Sequence, residues 1–148
     1  EFLEACGHGG LPQYTAAAEG PSSAAASQFP LVLLTPKTHT RFLNSSYSQL
    51  PKHGPAEGSP WVELDPADAA ARGLADGDVA RVFNERAELR LPVRVSSRLR
   101  PGVVVVPWGW WGDHHTDRKA ANALTTPAAT DWGNGAAYSD TLVEVASA

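Results

Sequence analysis

The sequence has no methionine and a single cysteine, Cys6. A lone thiol cannot close an intrachain bridge, so a disulfide framework is excluded as the source of stability and Cys6 is expected to be free. Apolar runs such as Leu31–Leu34 fall far short of the roughly 20 residues that a spanning helix needs, and the first residues lack the basic, apolar, small-residue order of a secretion signal. Membrane insertion is therefore not expected. A cytoplasmic location is, with export of the full-length protein left open. Excess basic charge is lacking too: 12 Lys and Arg against 16 Asp and Glu give a net charge of -4, which argues against a nucleic-acid partner. The missing initiator and the mid-phrase opening Glu1-Phe2-Leu3-Glu4 suggest a piece of a longer polypeptide.

Residues 1–28 are poor in large apolar side chains after Tyr14 and rich in turn formers, among them Gly7, Gly9, Gly10, Pro12, Gly20 and Pro21. Such a composition buries too little surface to offset the entropy of ordering it, and this stretch is expected to be a flexible linker. Residues 29–148 leave room for one domain with its own core.

Short strands are expected throughout that domain. Leu31–Leu34 reads as a strand buried on both faces, 61–64 as a short strand, Val79–Phe83 as another, and 103–106 as a second fully buried one. Leu89, Leu91, Val93 and Val95 alternate with Arg90, Pro92 and Arg94, a half-buried antiparallel strand with Pro92 placed on an edge or bulge. A last strand covers 141–145. Between them Asp65 can cap a one-to-two-turn helix that Pro66 opens and Gly73 closes, and Asp76-Gly77-Asp78 supplies a tight turn. The pattern implies a mainly β fold with short helices, a closed or nearly closed barrel of mixed strand directions.

The change in chemistry after Leu34 is abrupt. Thr35, Lys37, Thr38, His39, Thr40, Arg41, Asn44, Ser45 and Ser46 follow without an acidic residue among them. A strand that empties into hydroxyls, amides and cations suits an anion, phosphate above all, held by charge-assisted hydrogen bonds.

The segment from Thr35, T-P-K-x-H-x-R-x-x-N-S-S-Y, resembles the opening of the C-terminal dinucleotide-binding domain of molybdopterin oxidoreductases, the family of formate dehydrogenases, nitrate reductases and dimethyl sulfoxide reductase. Three further stretches are similar to that family: residues 65–86 with their helix, D-G-D turn and N-x-R turn, residues 100–113 (RPGVVVVPWGWWGD), and the A-N-A-L-T of 121–125. Ala87 departs from it, standing where the family usually has glycine, so that hairpin is expected to turn differently. The resemblance implies a six-stranded double-psi β-barrel. It also implies bis(molybdopterin guanine dinucleotide) carrying molybdenum or tungsten as the cofactor, for two-electron chemistry on a small substrate such as formate or nitrate. The implied contacts are Thr35, Lys37, His39, Arg41, Asn44, Ser45, Ser46, Trp111, His114, Asn122, Tyr138 and Ser139, with the Asn122 carboxamide able to donate and accept at a guanine or pterin edge. Metal ligation and any iron–sulfur cluster fall to upstream domains, which with an electron-transfer subunit are the implied partners. The isolated domain is expected to be catalytically inert.

Other readings compete at three places. Trp108, Trp110 and Trp111 suit a barrel-closing cluster, an interdomain surface or a stacking platform, the last making a carbohydrate-binding module. Gly58-Ser59 matches the bond cleaved in pyruvoyl-type decarboxylases on the same barrel. Asp113, His114, His115 and Asp117 have metal-ligating chemistry but no compact tetrahedral spacing, so they read as solvated loop residues and no metal site is assigned.

Overall fold

Alternating aliphatic residues can be buried only if the sheet curls so that one face is enclosed, and that is how the chain folds. A computed structural model describes residues 2–11, 13–37, 52, 58–115, 117–130 and 133–148. Among them six strands, β1 (Leu31–Leu34), β2 (Val62–Leu64), β3 (Val79–Phe83), β4 (Glu88–Val95), β5 (Val103–Val105) and β6 (Leu142–Ser147), close into a barrel in the order β1-β5-β2-β4-β3-β6. β1 runs parallel to β5 and β2 parallel to β4, while the remaining neighbours are antiparallel. The β1–β2 connection thus passes β5 and the β4–β5 connection passes β2, the crossing expected of a double-psi barrel. Among the described residues two short α-helices accompany the strands, α1 (Phe2–Ala5) and α2 (Pro66–Ala71).

Leu31, Leu33, Leu64, Val82, Leu89 and Val104 fill the lumen with at most 1% of their surface exposed. Two expectations about the strands are corrected. β1 is buried on one face, not both: Leu31 and Leu33 point inward, Val32 is half-buried and Leu34 is 41% exposed. A barrel wall has one enclosed side, so a run of four aliphatics still alternates. Pro92 lies neither on an edge nor in a bulge but inside β4, opposite Val79, the first residue of β3. Pairing of β4 with β2 begins one residue later, at Val93 opposite Val62. Its missing N–H therefore falls where β4 passes from one neighbour to the next, and no ladder loses a donor.

The turn residues act as their chemistry requires. The Asp65 carboxylate accepts from the Ala67 N–H at 2.8 Å, Pro66 occupies the first turn of α2, and Gly73 leaves the helix at φ +64°. On the helix, Asp68 accepts from the Gly102 N–H at 2.6 Å and Arg72 donates to Glu144 at 2.7 Å, which fastens α2 to the β4–β5 turn and to β6. Asp76 accepts from the Val95 N–H and Asp78 from the Ala75 N–H, both at 2.8 Å. In the β3–β4 turn Ala87 needs no left-handed backbone, because the Asn84 side-chain oxygen accepts from the N–H groups of Arg86 at 3.0 Å and Ala87 at 3.4 Å.

Candidate functional site

Parallel pairing carries β1 and β5 out of the barrel together, with Leu34 opposite Val105. The two chains stay in step beyond the sheet: the Val106 N–H donates to the Leu34 carbonyl at 3.0 Å and the Trp108 N–H to the Pro36 carbonyl at 3.3 Å. Lys37 and Trp108 consequently meet, the ammonium 5.3 Å from the indole centroid. That contact lies within cation–π range and holds an exposed cation over a half-buried ring.

The opposite side of the mouth comes from the C-terminal third. A 3-10 turn, Ala121–Ala123, is anchored by Ala121 at 4% and Leu124 at 0% exposure, which leaves Asn122 facing outward. The Asn122 carbonyl accepts from the Thr125 hydroxyl at 2.9 Å, whereas its carboxamide makes no hydrogen bond among the described residues. Tyr138 is held from below by the fully buried Thr141, whose hydroxyl donates to the Tyr138 carbonyl at 3.1 Å and accepts from the Thr126 N–H at 3.2 Å. The Tyr138 ring itself is 56% exposed.

Between these sides lies a cavity of about 440 Å³, lined by Thr35, Lys37, Trp108, Ala121, Asn122, Thr125 and Tyr138. That volume is within the range of small-molecule and cofactor sites. Of the residues expected at the site, the fold brings Thr35, Lys37, Asn122 and Tyr138 to one concavity. Trp111, 56% exposed at the start of the Gly112–His114 turn, and the exposed Ser139 are not among its lining, and the His114 side chain lies outside the described ones. His39, Arg41, Asn44, Ser45 and Ser46 lie outside the described residues. Trp108 and Thr125 were not among the expected contacts. The sequence offers Trp108 only as a stacking residue; its meeting with Lys37 comes from the parallel register, since it follows β5 as Lys37 follows β1.

The three neighbouring tryptophans differ in burial, with Trp108 half-buried and Trp111 56% exposed. Trp110 is 3% exposed and meets Trp61 edge to face at 6.4 Å, Trp61 carries the Arg94 guanidinium at 3.8 Å, and Trp108 lies under Lys37. Trp110 is thus spent on internal packing and offers no exposed stacking face. Among the described residues no group of three or more His, Cys, Asp and Glu side chains could hold a metal ion, and no helix is long and apolar enough to cross a membrane.

A barrel whose mouth joins a lysine and a threonine at the end of one strand to an uncommitted carboxamide and a phenol from the far end of the chain is built as a cofactor-binding domain. The family model described as "Molydopterin dinucleotide binding domain" matches residues 31–142, and the chain belongs to that family. It is 34% identical over 145 residues to the putative dimethyl sulfoxide reductase chain YnfE of Escherichia coli (strain K12), covering 91% of this chain and 17% of that protein. It is 34% identical over 113 residues to the probable oxidoreductase YoaE of Bacillus subtilis (strain 168), covering 76% and 16%. Against the dimethyl sulfoxide reductase DmsA of Escherichia coli (strain K12) it is 31% identical over 140 residues, covering 91% and 17%. The chain thus spans about a sixth of the length of these relatives. Among solved structures, acetylene hydratase from Pelobacter acetylenicus shares the fold with a TM-score of 0.77 at 21% identity, over 99% of this chain and 22% of that one. Family membership brings the cofactor with it, bis(molybdopterin guanine dinucleotide) with molybdenum.

The residues present suit that group. Lys37 offers an ammonium to phosphate, Thr35 and Thr125 offer hydroxyls, and the uncommitted Asn122 carboxamide offers a donor and an acceptor to a heterocycle edge.

Proposed function

We propose that the chain is the cofactor-binding domain of a molybdenum oxidoreductase, with residues 29–148 forming the domain and 1–28 a linker leading into it. The observation that carries the reading is the single concavity in which Thr35 and Lys37 face Asn122 and Tyr138. Lys37, steadied on Trp108, neutralises a phosphate of the dinucleotide. Asn122 pairs with the guanine or pterin edge, while Thr35, Thr125 and Tyr138 close the lining around it. His39, Arg41, Asn44, Ser45, Ser46, Trp111, His114 and Ser139 stay in the proposed site on the strength of the family resemblance. No side chain of this domain is assigned to bond making. The bound cofactor supplies two-electron redox chemistry at its metal, and this chain supplies binding, orientation and charge.

The expected formate or nitrate gives way to a sulfoxide or a similar oxygen-atom donor, because two relatives matched over 91% of this chain are named as a putative dimethyl sulfoxide reductase chain and a dimethyl sulfoxide reductase. The preceding domains of the same polypeptide, an electron-transfer subunit, an upstream iron–sulfur cluster and a cytoplasmic location belong to the same proposal. The test is the guanine nucleotide content of the purified full-length protein, measured as GMP released by acid. Asn122→Ala and Lys37→Ala should each lower it; normal content in both removes the assignment.

A further inference from the structure

The mouth of the barrel is braced by a residue that lies far outside it in sequence. Glu19, in the segment assigned as linker, forms a two-pronged ion pair with Arg86, Nη1 to Oε1 at 2.6 Å and Nη2 to Oε2 at 2.8 Å. The third edge of the same guanidinium, Nε, donates to the Leu124 carbonyl at 3.0 Å. Asn84 Nδ2 donates to that carbonyl at 2.8 Å and to the Leu142 carbonyl at 3.1 Å. Leu124 closes the turn that presents Asn122, its N–H donating to the Ala121 carbonyl at 3.1 Å, while the next residue, Thr125, lines the cavity. Glu19 also accepts from the Leu142 N–H at 3.5 Å, at the start of β6. Ordinary ion pairing does not require this arrangement. Arg86 is 27% and Glu19 21% exposed, so the pair is drawn off the surface, and through it Arg86 reaches the backbone oxygen that closes a cavity-lining turn.

We propose that Glu19 and Arg86 are positioning residues for the cofactor. The carboxylate orients the guanidinium, the guanidinium holds the Leu124 carbonyl, and the 121–125 segment is thereby held with Asn122 and Thr125 toward the cavity. A planar guanidinium suits the task because its fork can engage the carboxylate with two N–H groups while a third points elsewhere; an ammonium has no such fixed geometry. The β3–β4 turn and the incoming segment then both act on a site to which neither contributes a lining residue. The inference rests on the reading of the cavity as the dinucleotide site.

The experiment uses the full-length protein that carries this domain, with guanine nucleotide retained after prolonged dialysis and the melting temperature as paired readouts. Glu19→Gln and Arg86→Lys should lower retention roughly three- to tenfold, about what one ordinary intramolecular hydrogen bond is worth. Arg81→Gln, which removes a comparable ion pair from the outer wall of the barrel, should leave retention within about twofold of wild type. The swap Glu19→Arg with Arg86→Glu separates positioning from simple bracing: it restores an ion pair but leaves no guanidinium on residue 86 to hold the Leu124 carbonyl. Recovery of the melting temperature without recovery of retention supports the proposal. Recovery of both overturns it, as does wild-type retention in Glu19→Gln. Asn122→Ala distinguishes the two levels, since loss in that variant with normal retention in Glu19→Gln sinks only the positioning role, and normal retention in Asn122→Ala sinks the site and the positioning role together.

Discussion

Along the β3–β4 hairpin the inward side chains Ala80, Val82, Leu89, Leu91 and Val93 are at most 2% exposed, and on the outer face Arg81 and Arg90 share Glu88, with Arg81 donating to it at 2.7 Å. That contact holds the Glu88 carboxyl below the ordinary carboxylate range and raises the Arg81 guanidinium. At the barrel mouth the pattern reverses. Lys37 faces an indole instead of a carboxylate, the Asn122 carboxamide meets nothing among the described residues, and Tyr138 is left 56% exposed. The wall consumes its hydrogen-bonding and apolar capacity internally, whereas the mouth keeps part of it in reserve. Uncommitted capacity gathered around one cavity is open to a ligand, which is the basis of the proposed site.

Core truncation sets the upper end of this contrast. Leu91→Ala should destabilise the domain by about 2–5 kcal/mol, the range for a buried leucine whose cavity cannot collapse in a closed barrel, and denaturant unfolding will read it directly. Cofactor content should then follow folded fraction alone. A variant that kept its stability would mean that the lumen is looser than its exposure values imply.

The mouth should answer in the opposite way. Lys37→Ala should leave stability within about 0.5 kcal/mol of wild type while weakening cofactor binding by about 1.5–3 kcal/mol, the worth of a hydrogen bond to a charged group. The deficit should shrink as salt is added, because the ammonium is exposed and its field is screened. A binding loss independent of salt would assign Lys37 a packing role on Trp108 instead.

How much of this was legible beforehand follows the same division. Strand positions were readable because alternation is local: the inward set of β4 is written in Leu89, Leu91 and Val93. Helix α2 was readable from Asp65, Pro66 and Gly73 for the same reason. The burial of β1 was misread because four aliphatics in a row carry no alternation, and only closure of the barrel decides that Leu34 faces out. Pro92 was misplaced because which neighbour pairs at each position is a property of the whole sheet. The mouth joins residues 35–37, 108, 121–125 and 138, separations that no spacing rule spans, and there the family resemblance supplied Asn122 and Tyr138 where residue chemistry alone supplied Thr35 and Lys37. The Lys37–Trp108 contact and the Glu19–Arg86 pair depend on which segments meet in the folded barrel, and no local pattern in the sequence carries that.

A smaller effect tests whether wall and helix are coupled. Asp65→Ala removes the N-cap of α2, and the Ala67 N–H loses its acceptor. The cost should be about 1 kcal/mol, seen as an earlier unfolding midpoint at unchanged denaturant sensitivity. Since α2 reaches β6 through Arg72 and Glu144, a cost well above that range would show that the cap also holds this ion pair in register.

The smallest effect concerns the contact between linker and barrel, and its direction with pH is fixed by chemistry. The Arg86 guanidinium beside Glu19 holds that carboxyl below its usual value of 4.5, helped by the Leu142 N–H and the Thr126 hydroxyl and opposed by partial burial. A carboxyl whose pKa is depressed on folding adds stability that is fully present above the unfolded value and is lost as pH falls through the folded one. The contribution should be a few tenths to about 1 kcal/mol at neutral pH, because the pair remains partly solvated and orders two long side chains. Wild type should therefore melt slightly above Glu19→Gln at pH 7, by a gap that stays constant down to about pH 5 and closes on further acidification as the carboxylate is protonated. Added salt should narrow the gap at neutral pH and leave it unchanged once the carboxyl is neutral. A gap that persisted at low pH would assign the stabilisation to packing of residues 15–20 against the barrel and not to charge, and a gap absent at every pH would return Glu19 to the flexible linker that composition alone suggests for residues 1–28.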